Sequence, residues 1–313
     1  MKEKNLKNVA VILGFFNGNK HIFEQINSII SQTHKNIKIF IFDDNSTDKI
    51  IMDNINKNNN LNLPISVNYR NTNLGYAKNF LLGLRDVGSE YDYYAFSDQD
   101  DLWESEKVEF ALKEIDKVTS NIPILYCSRT AYYTKDCSQE IGSSRDFKRK
   151  PIFQNSLIQN IAGGNTIILN NKARELIVSS LISDKFISHD WWCYQLISAA
   201  GGKIIFHSYK SVKYRQHISN LIGGNQSFKQ RLLRFRNFFS GSFKEWTNLN
   251  IKNLIINKKL LTTKNRIVLE SFIKSRESKN FLKRIFFYIK SGVYRQTLSE
   301  NIIFIIGILL NKI

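Results

Sequence analysis

Residues 91–103 read YDYYAFSDQDDLW: an apolar, aromatic run, then Asp98, Asp100 and Asp101 within four positions, then Trp103. The run has the composition of a buried strand. Three carboxylates at its end raise one another's pKa unless a cation, a proton or solvent offsets the charge. The same grammar continues upstream. VAVILGFF (9–16), IKIFIFDD (37–44) and PISVNYR (64–70) are strand-like, and they alternate with helical patterns in HIFEQINSIISQ (21–32) and GYAKNFLLGLRDV (75–87). In the first helix Ile22, Ile26, Ile29 and Ile30 share one face. Four strands separated by helices predict a mainly parallel sheet covered on both faces. Ligands of such sheets gather at the strands' C-terminal ends. FDDNSTD (42–48) and FSDQDDLW (96–103) both fall there.

Downstream, the pattern gives a helix near 104–118, a strand in ILYCSRTAYYT (124–134) and a polar loop over roughly 135–155. A strand in GGNTIILN (163–170), helices from Lys172 and from His189, and a strand in KIIFHSYKSVKYRQH (203–217) follow. A boundary is expected near Gly223-Gly224, where the composition turns to basic helices. The chain has 313 residues and a net charge of +18, and from residue 225 onward eighteen Lys/Arg face four Glu, so +14 of that charge lies in the tail. Three scattered cysteines without a CxxC pair indicate neither a disulfide framework nor a zinc site, and fit a reducing cytoplasm. The first apolar run ends in Asn-Gly-Asn-Lys and reads as a strand, not a signal peptide. IIFIIGILL (302–310) is shorter than the roughly 20 residues a bilayer span needs.

The acidic ends admit two readings. A hard divalent cation, Mg²⁺ or Mn²⁺, would take one or two carboxylates and complete its shell with phosphate oxygens and water. Alternatively, these are polar turns that cap the following helices. Position at a buried strand's end, with a second acidic cluster nearby, favours the cation for Asp98, Asp100 and Asp101. For DDNSTD (43–48) both readings stand, since a carboxylate there can also accept from a base N–H or a ribose hydroxyl. NTNLGYAKNF (71–80) opens a helix whose free N–H groups and Lys78 can face phosphate, without a P-loop or dinucleotide-binding fingerprint. Asp190 starts a helix beside Trp191 and Trp192; it reads first as a helix cap with core tryptophans, and alternatively as a general base whose pKa burial would raise. In KYRQHISNLIG (213–223), Arg215 can pair with diphosphate and His217 can join a metal shell.

Taken in order, VAVILGFFNG, FIFDDNSTD, NTNLGYAKN, FSDQDDLW, GGNTIILN, HDWW and YRQHISNLIG resemble GT-A fold glycosyltransferases of family 2, especially bacterial rhamnosyltransferase-like members, over roughly residues 8–225. The resemblance implies an α/β fold with a Rossmann-like nucleotide-binding half (about 1–102), an acceptor half (103–224) and a basic helical C-terminal extension (225–313). It implies that Asp44, with Asp43, contacts the nucleobase or ribose, and that Asn73, Gly75 and Lys78 lie near the nucleotide. Asp98 and Asp100 match the family's Asp-x-Asp, Asp98 also on the donor side and Asp100 as the direct metal ligand, with His217 completing the shell. Asp101, Trp103, Gly164, Asn165, His189 and Trp191 would line the sugar and acceptor pocket. Asp190 would be the catalytic base, the family's Glu-Asp pair appearing here as His189-Asp190, and Arg215 would stabilise the leaving diphosphate. The implied reaction inverts the anomeric carbon and needs no enzyme nucleophile. L-rhamnose from dTDP-rhamnose is the implied donor, with UDP-galactose or UDP-glucose as the alternative. The acceptor is a saccharide or lipid-linked oligosaccharide of bacterial surface polysaccharide, O-antigen or capsule.

In the tail, Phe228, Leu232, Phe235 and Phe239, and then Phe281, Ile285 and Ile289, recur at helical spacing among lysines and arginines. Such helices suit an anionic membrane surface, which predicts a cytoplasmic enzyme peripheral on the inner face of the plasma membrane. The same apolar faces permit packing on the catalytic domain or a homodimer. A basic nucleic-acid-binding protein is the rival from another class, but strand-end carboxylates would repel a phosphate backbone. A nucleotidyltransferase would carry a Gly-rich phosphate loop near the first strand, and GFFNGNKH does not supply one.

Overall fold

The run VAVILGF forms the first strand, β1 (Val9–Phe15), buried throughout except at Gly14. The computed structural model describes residues 6–47, 65–183, 185–216, 241–310 and 312–313. His217, the Gly223-Gly224 boundary and the helix expected around Phe228, Leu232, Phe235 and Phe239 lie outside the described residues. The chain clusters into two units. One falls within Met1–Arg145, Ala162–Val178 and Ile205–Gly224, the other within Asp146–Ile161, Ser179–Ile204 and Asn225–Ile313.

In the first unit β1 pairs in parallel with β2 (Ile37–Asp43) and β4 (Tyr93–Ser97), and β2 with β3 (Ile65–Tyr69). The register sets Phe15 opposite Asp43 and Leu13 opposite Ser97, so the acidic segments after β2 and β4 emerge at one edge of the sheet. Helices α1 (Ile22–Ile30), α2 (Tyr76–Asp86) and α3 (Lys107–Ile115) fill the connections. Ile22, Ile26 and Ile29 are buried in a core with Val9, Val11, Leu13, Ile39 and Ile41, as the sequence spacing predicts.

Beyond β4 the pairing reverses. β8 (Ile168–Asn170) runs antiparallel to β4 and to β6 (Ile124–Tyr133), and the short β5 (Leu102–Trp103) antiparallel to β9 (Lys203–Arg215). The strand order is β3-β2-β1-β4-β8-β6-β9-β5, so the sheet expected to be mainly parallel is parallel on one side and antiparallel on the other. The segment expected as a polar loop over 135–155 instead contains β7 (Glu140–Ser143), joined to β6 by a connection too short for a parallel crossover. Its residues, EIGS, carry no alternation a sequence reading could use; Arg129 holds this edge through Ser143 Oγ (2.5 Å) and Ser144 O (2.9 and 2.7 Å).

Apart from the first two residues of β9, the regular elements of the second unit are helices among its described residues. It contains α4 (Phe153–Ser156), also within that expected loop, α6 (His189–Ala199), α7 (Ser242–Ile256), α8 (Thr263–Glu277), α9 (Phe281–Ser291) and α10 (Leu298–Leu309); α5 (Asn171–Ser179) belongs to the first unit. Polar side chains tie the helices together. Asn265 donates to Ser198 O and Ala199 O at the end of α6, Arg276 to Thr247 on α7 (2.8 Å), and Arg284 to Leu309 O (2.6 Å) at the end of α10. Phe304 packs edge-on against Phe243 with centroids 6.0 Å apart. The side of α9 that turns inward is Arg284, Tyr288 and Ser291, while Phe281 and Ile289, expected as its apolar face, are exposed.

Candidate active site

Each acidic strand end is organised by its own chain. After β2, Asp43 is fully buried, and its Oδ1 accepts from Ser46 N (2.8 Å) and Ser46 Oγ (2.6 Å). Its Oδ2 is buried without a hydrogen-bond partner. Asp44 next to it is spoken for: its two oxygens accept from Leu74 N and Gly75 N, each at 2.8 Å, and Asn73 Nδ2 donates to its carbonyl at 3.1 Å. The Asn73–Gly75 turn is thereby clamped to the end of β2, and α2 starts from it. Gly75 has φ 79° with open space where a Cβ would stand, and Lys78 is half-buried in the first turn.

After β4, Asp98 and Asp100 are half-buried and Asp101 is buried. Burial, with the charges of Asp98 and Asp100, pushes the Asp101 carboxyl well above the usual range. Its Oδ2 accepts from Asn165 Nδ2 at 2.5 Å. Asn165 in turn accepts through its carbonyl from Lys107 Nζ at 2.6 Å, in the tight turn Gly164–Thr166. Lys107 is wholly buried, with its ammonium 3.4 Å from the centre of the Trp103 ring. Burial pulls its pKa well down, while Asp101 and Asp98 push it up. A lysine side chain held inside the protein thus lies under the acidic segment. Gln25 of α1 fixes the same segment from the other side: with its amide oxygen accepting from Trp103 Nε1 (3.1 Å) and Ser97 Oγ (2.6 Å), its nitrogen reaches the Asp101 carbonyl.

Arg215, at the end of β9, is buried and fully engaged. Nε donates to Asp100 O (3.1 Å), Nη1 to Lys135 O (2.8 Å) and Nη2 to Glu24 Oε2 (2.5 Å). Beside it lies a cleft of about 570 Å³ lined in part by Lys20, His21, Glu24, Lys135 and Asp136. Burial, and then the Arg215 charge, lowers the His21 pKa.

Asp43, Asp44, Asn73, Gly75, Lys78, Asp98, Asp100, Asp101, Trp103, Gly164, Asn165 and Arg215 all belong to the first unit. His189, Asp190 and Trp191 belong to the second. There Asp190 Oδ1 accepts from Trp191 N (2.6 Å) in the first turn of α6, and the Trp191 indole donates to Ser156 O (2.7 Å), which makes this tryptophan part of the unit's packing. Burial holds the His189 pKa down at about 4. Lys107, Glu24 and Gln25 escaped the sequence reading. Lys107 stands in KVEFALKEI, where a lysine in a first helical turn looks solvated, and Glu24 meets Arg215 across 191 positions.

Asp98 and Asp100 offer hard oxygen donors at a strand end whose charges already act on Asp101, a donor set that fits Mg²⁺ or Mn²⁺. Among the described residues no three His, Cys, Asp or Glu side chains converge to hold a metal unaided. Such a shell would be completed by phosphate and water.

The family model "Glycosyl transferase family 2" matches residues 10–177, from β1 through most of α5. A dTDP-rhamnosyl transferase, RfbG of Shigella flexneri, is 26% identical over 306 residues, covering 95% of this chain and 98% of that protein. A UDP-Glc:alpha-D-GlcNAc-diphosphoundecaprenol beta-1,3-glucosyltransferase of Escherichia coli, WfaP, is 37% identical over 101 residues, 32% of this chain and 38% of that one. Among solved structures, S. aureus TarS 1-349 in complex with UDP-GlcNAc covers 92% of this chain and 93% of its own at a TM-score of 0.54 and 16% identity. GalNAc-T7 with UDP, GalNAc and Mn²⁺ covers 97% of this chain and 58% of its own at 0.53 and 13%. At such identities these two speak for the fold, which is that of the GT-A glycosyltransferases. With more than half its length matched by the family model, the chain belongs to glycosyl transferase family 2.

Proposed function

We propose that the enzyme transfers L-rhamnose from dTDP-rhamnose, with inversion, to a hydroxyl of a saccharide or lipid-linked acceptor in the synthesis of a bacterial surface polysaccharide. The observation that carries the donor is the end-to-end similarity to a dTDP-rhamnosyl transferase, which runs through both units. UDP-glucose is the second reading, supported by the higher but local identity to the glucosyltransferase.

The residues divide the work. Asp43 Oδ2, buried and unpartnered, suits the imide N–H of thymine or uracil. Asp44 acts through the turn it clamps, which presents the N-terminus of α2 and Lys78 to phosphate. Asp98 and Asp100 would hold the divalent cation, which when bound supplies Lewis-acid stabilisation of the departing diphosphate. Arg215 adds positive charge there once Glu24, which is half-exposed, gives way to the diphosphate. Asp190 takes the acceptor proton as its oxygen forms the new bond to the anomeric carbon and the bond to the diphosphate breaks. His217 remains assigned to the cation by resemblance. Peripheral attachment to the inner membrane surface completes the reading; no helix among the described residues is long and apolar enough to cross a membrane.

The test is nucleotide release from dTDP-rhamnose and UDP-glucose, each offered with lipid-diphosphate-linked sugar acceptors. Acceptor-dependent release of dTDP alone supports the reading. Release of UDP alone transfers it to the glucosyl alternative.

A further inference from the structure

Helices α9 and α10 close the second unit, and each buries only a narrow seam: Arg284, Tyr288 and Ser291 on α9, Phe304, Gly307 and Ile308 on α10. The remainder of their apolar surface faces outward. Leu282, Phe286 and Ile289, at i, i+4 and i+7, are 62, 60 and 70% exposed, and Leu298, Ile302 and Ile306 are 79, 51 and 43% exposed. Scattered apolar side chains on a surface are ordinary, but rows of large ones along two consecutive helices are not.

The charges around these rows decide what they fit. Lys279, Lys283 and Lys290 are exposed on and beside α9, two of them directly following Leu282 and Ile289. Between residues 279 and 310 the single acid is Glu300, half-buried with Arg295 3.9 Å away. A second copy of the chain seated here would bring lysine against lysine. An anionic bilayer offers the complement to both features, with apolar side chains entering the acyl boundary and lysine stems reaching back to headgroup phosphates.

We infer that α9 and α10 form the membrane-docking surface of this enzyme, with Leu282, Phe286 and Ile289 as apolar anchors and Lys283 and Lys290 as contacts to anionic headgroups. This deepens the acceptor side of the function proposed above, since a chain held at the inner leaflet meets a lipid-linked acceptor in two dimensions. The surface itself does not depend on which sugar donor the enzyme uses.

Flotation of the full chain with phosphatidylcholine vesicles, with and without phosphatidylglycerol, tests it. Wild type is expected to float with the anionic vesicles and to lose binding in high salt. The triple variant L282S/F286S/I289S should partition at least about tenfold more weakly, and K283Q/K290Q should lose most of the preference for phosphatidylglycerol. These side chains are exposed, so both variants should keep the wild-type melting temperature and dTDP response, which separates the fate of this surface from that of the donor site. A wild type that stays with the soluble fraction, or a triple variant that floats like wild type, overturns the inference. A dimer in light scattering that the triple variant dissolves overturns it too, and assigns the rows to a second copy.

Discussion

Asp101 and Leu282 break the ordinary burial rule in opposite directions: the carboxylate is 1% exposed and the leucine 62%. Around Asp101 the first unit has built a polar interior, with Lys107 beneath it, Asn165 against its Oδ2 and Arg215 pinned to the neighbouring Asp100 carbonyl. Buried ionisable groups cost several kcal/mol each unless paired and hydrogen-bonded, and burial shifts both Asp101 and Lys107 toward their neutral forms. Around Leu282 the second unit leaves unburied what would gain about 1.5–3 kcal/mol per side chain by leaving water. The contrast gives each region a chemical sign: on the proposed reading, surplus carboxylate at the strand ends is met by a cation and a diphosphate, and surplus hydrocarbon on α9 and α10 by a lipid surface.

The contrast breaks first at Asp100. Asp100→Asn should lower turnover by about 10²–10³-fold or more while the fold persists, as judged by circular dichroism and a melting curve. A loss under threefold would separate the acidic segment from the chemistry.

Lys107→Met should cost about 1–3 kcal/mol, read by urea denaturation in EDTA, because it removes the buried donor to Asn165 O beneath Asp101. In excess Mn²⁺ the deficit should shrink, since the added cation would hold the same acidic segment. Equal deficits in both conditions would reduce Lys107 to a packing residue.

His189 sharpens the account of the second unit. Its imidazole is buried neutral with a pKa of about 4, against 6.5 when unfolded. Between those values the unfolded chain binds the extra proton. The stability it contributes is therefore present in full above pH 6.5 and is lost as pH falls through 4, on the order of 3 kcal/mol in total. His189→Gln should flatten that acid limb of the urea-midpoint profile; an unchanged slope would move the acid sensitivity elsewhere.

An effect no larger than these is expected at Gly75, where φ is 79° and nothing obstructs a Cβ. With ψ at 149° this is a conformation that essentially only glycine adopts, so Gly75→Ala should cost about 1–3 kcal/mol through backbone strain alone, and a loss well beyond that would show that the turn held by Asp44 is packed more tightly than its open surroundings indicate.

Much of the fold was legible because β1 and β2 are buried on both faces. VAVILGF and IKIFIFD can be little else, and the helices between them bury isoleucines at regular spacing. The antiparallel half was harder to read. β7 is four residues with a single large apolar one, Ile141, and β5 is two residues within the acidic segment itself. The candidate site's residue types were visible at the strand ends, but their partners were not. Asp43 and Asp44 look alike in sequence, yet one keeps a buried oxygen unpartnered while the other spends both on a turn 30 residues away. The outward turn of Phe281 and Ile289 was equally hidden, since periodicity gives the existence of an apolar face and not its neighbour.

The most direct test of the central claim, that a divalent cation and a nucleoside diphosphate complete the carboxylate-lined strand ends, is a thermal-shift matrix. Wild type and Asp100→Asn would be melted with dTDP, UDP and GDP, each in Mn²⁺, Mg²⁺ or EDTA. The account predicts a rise in melting temperature for wild type with dTDP and cation, absent in EDTA and absent in the variant. A folded wild type that no nucleotide stabilises, or that dTDP stabilises equally in EDTA, would contradict it.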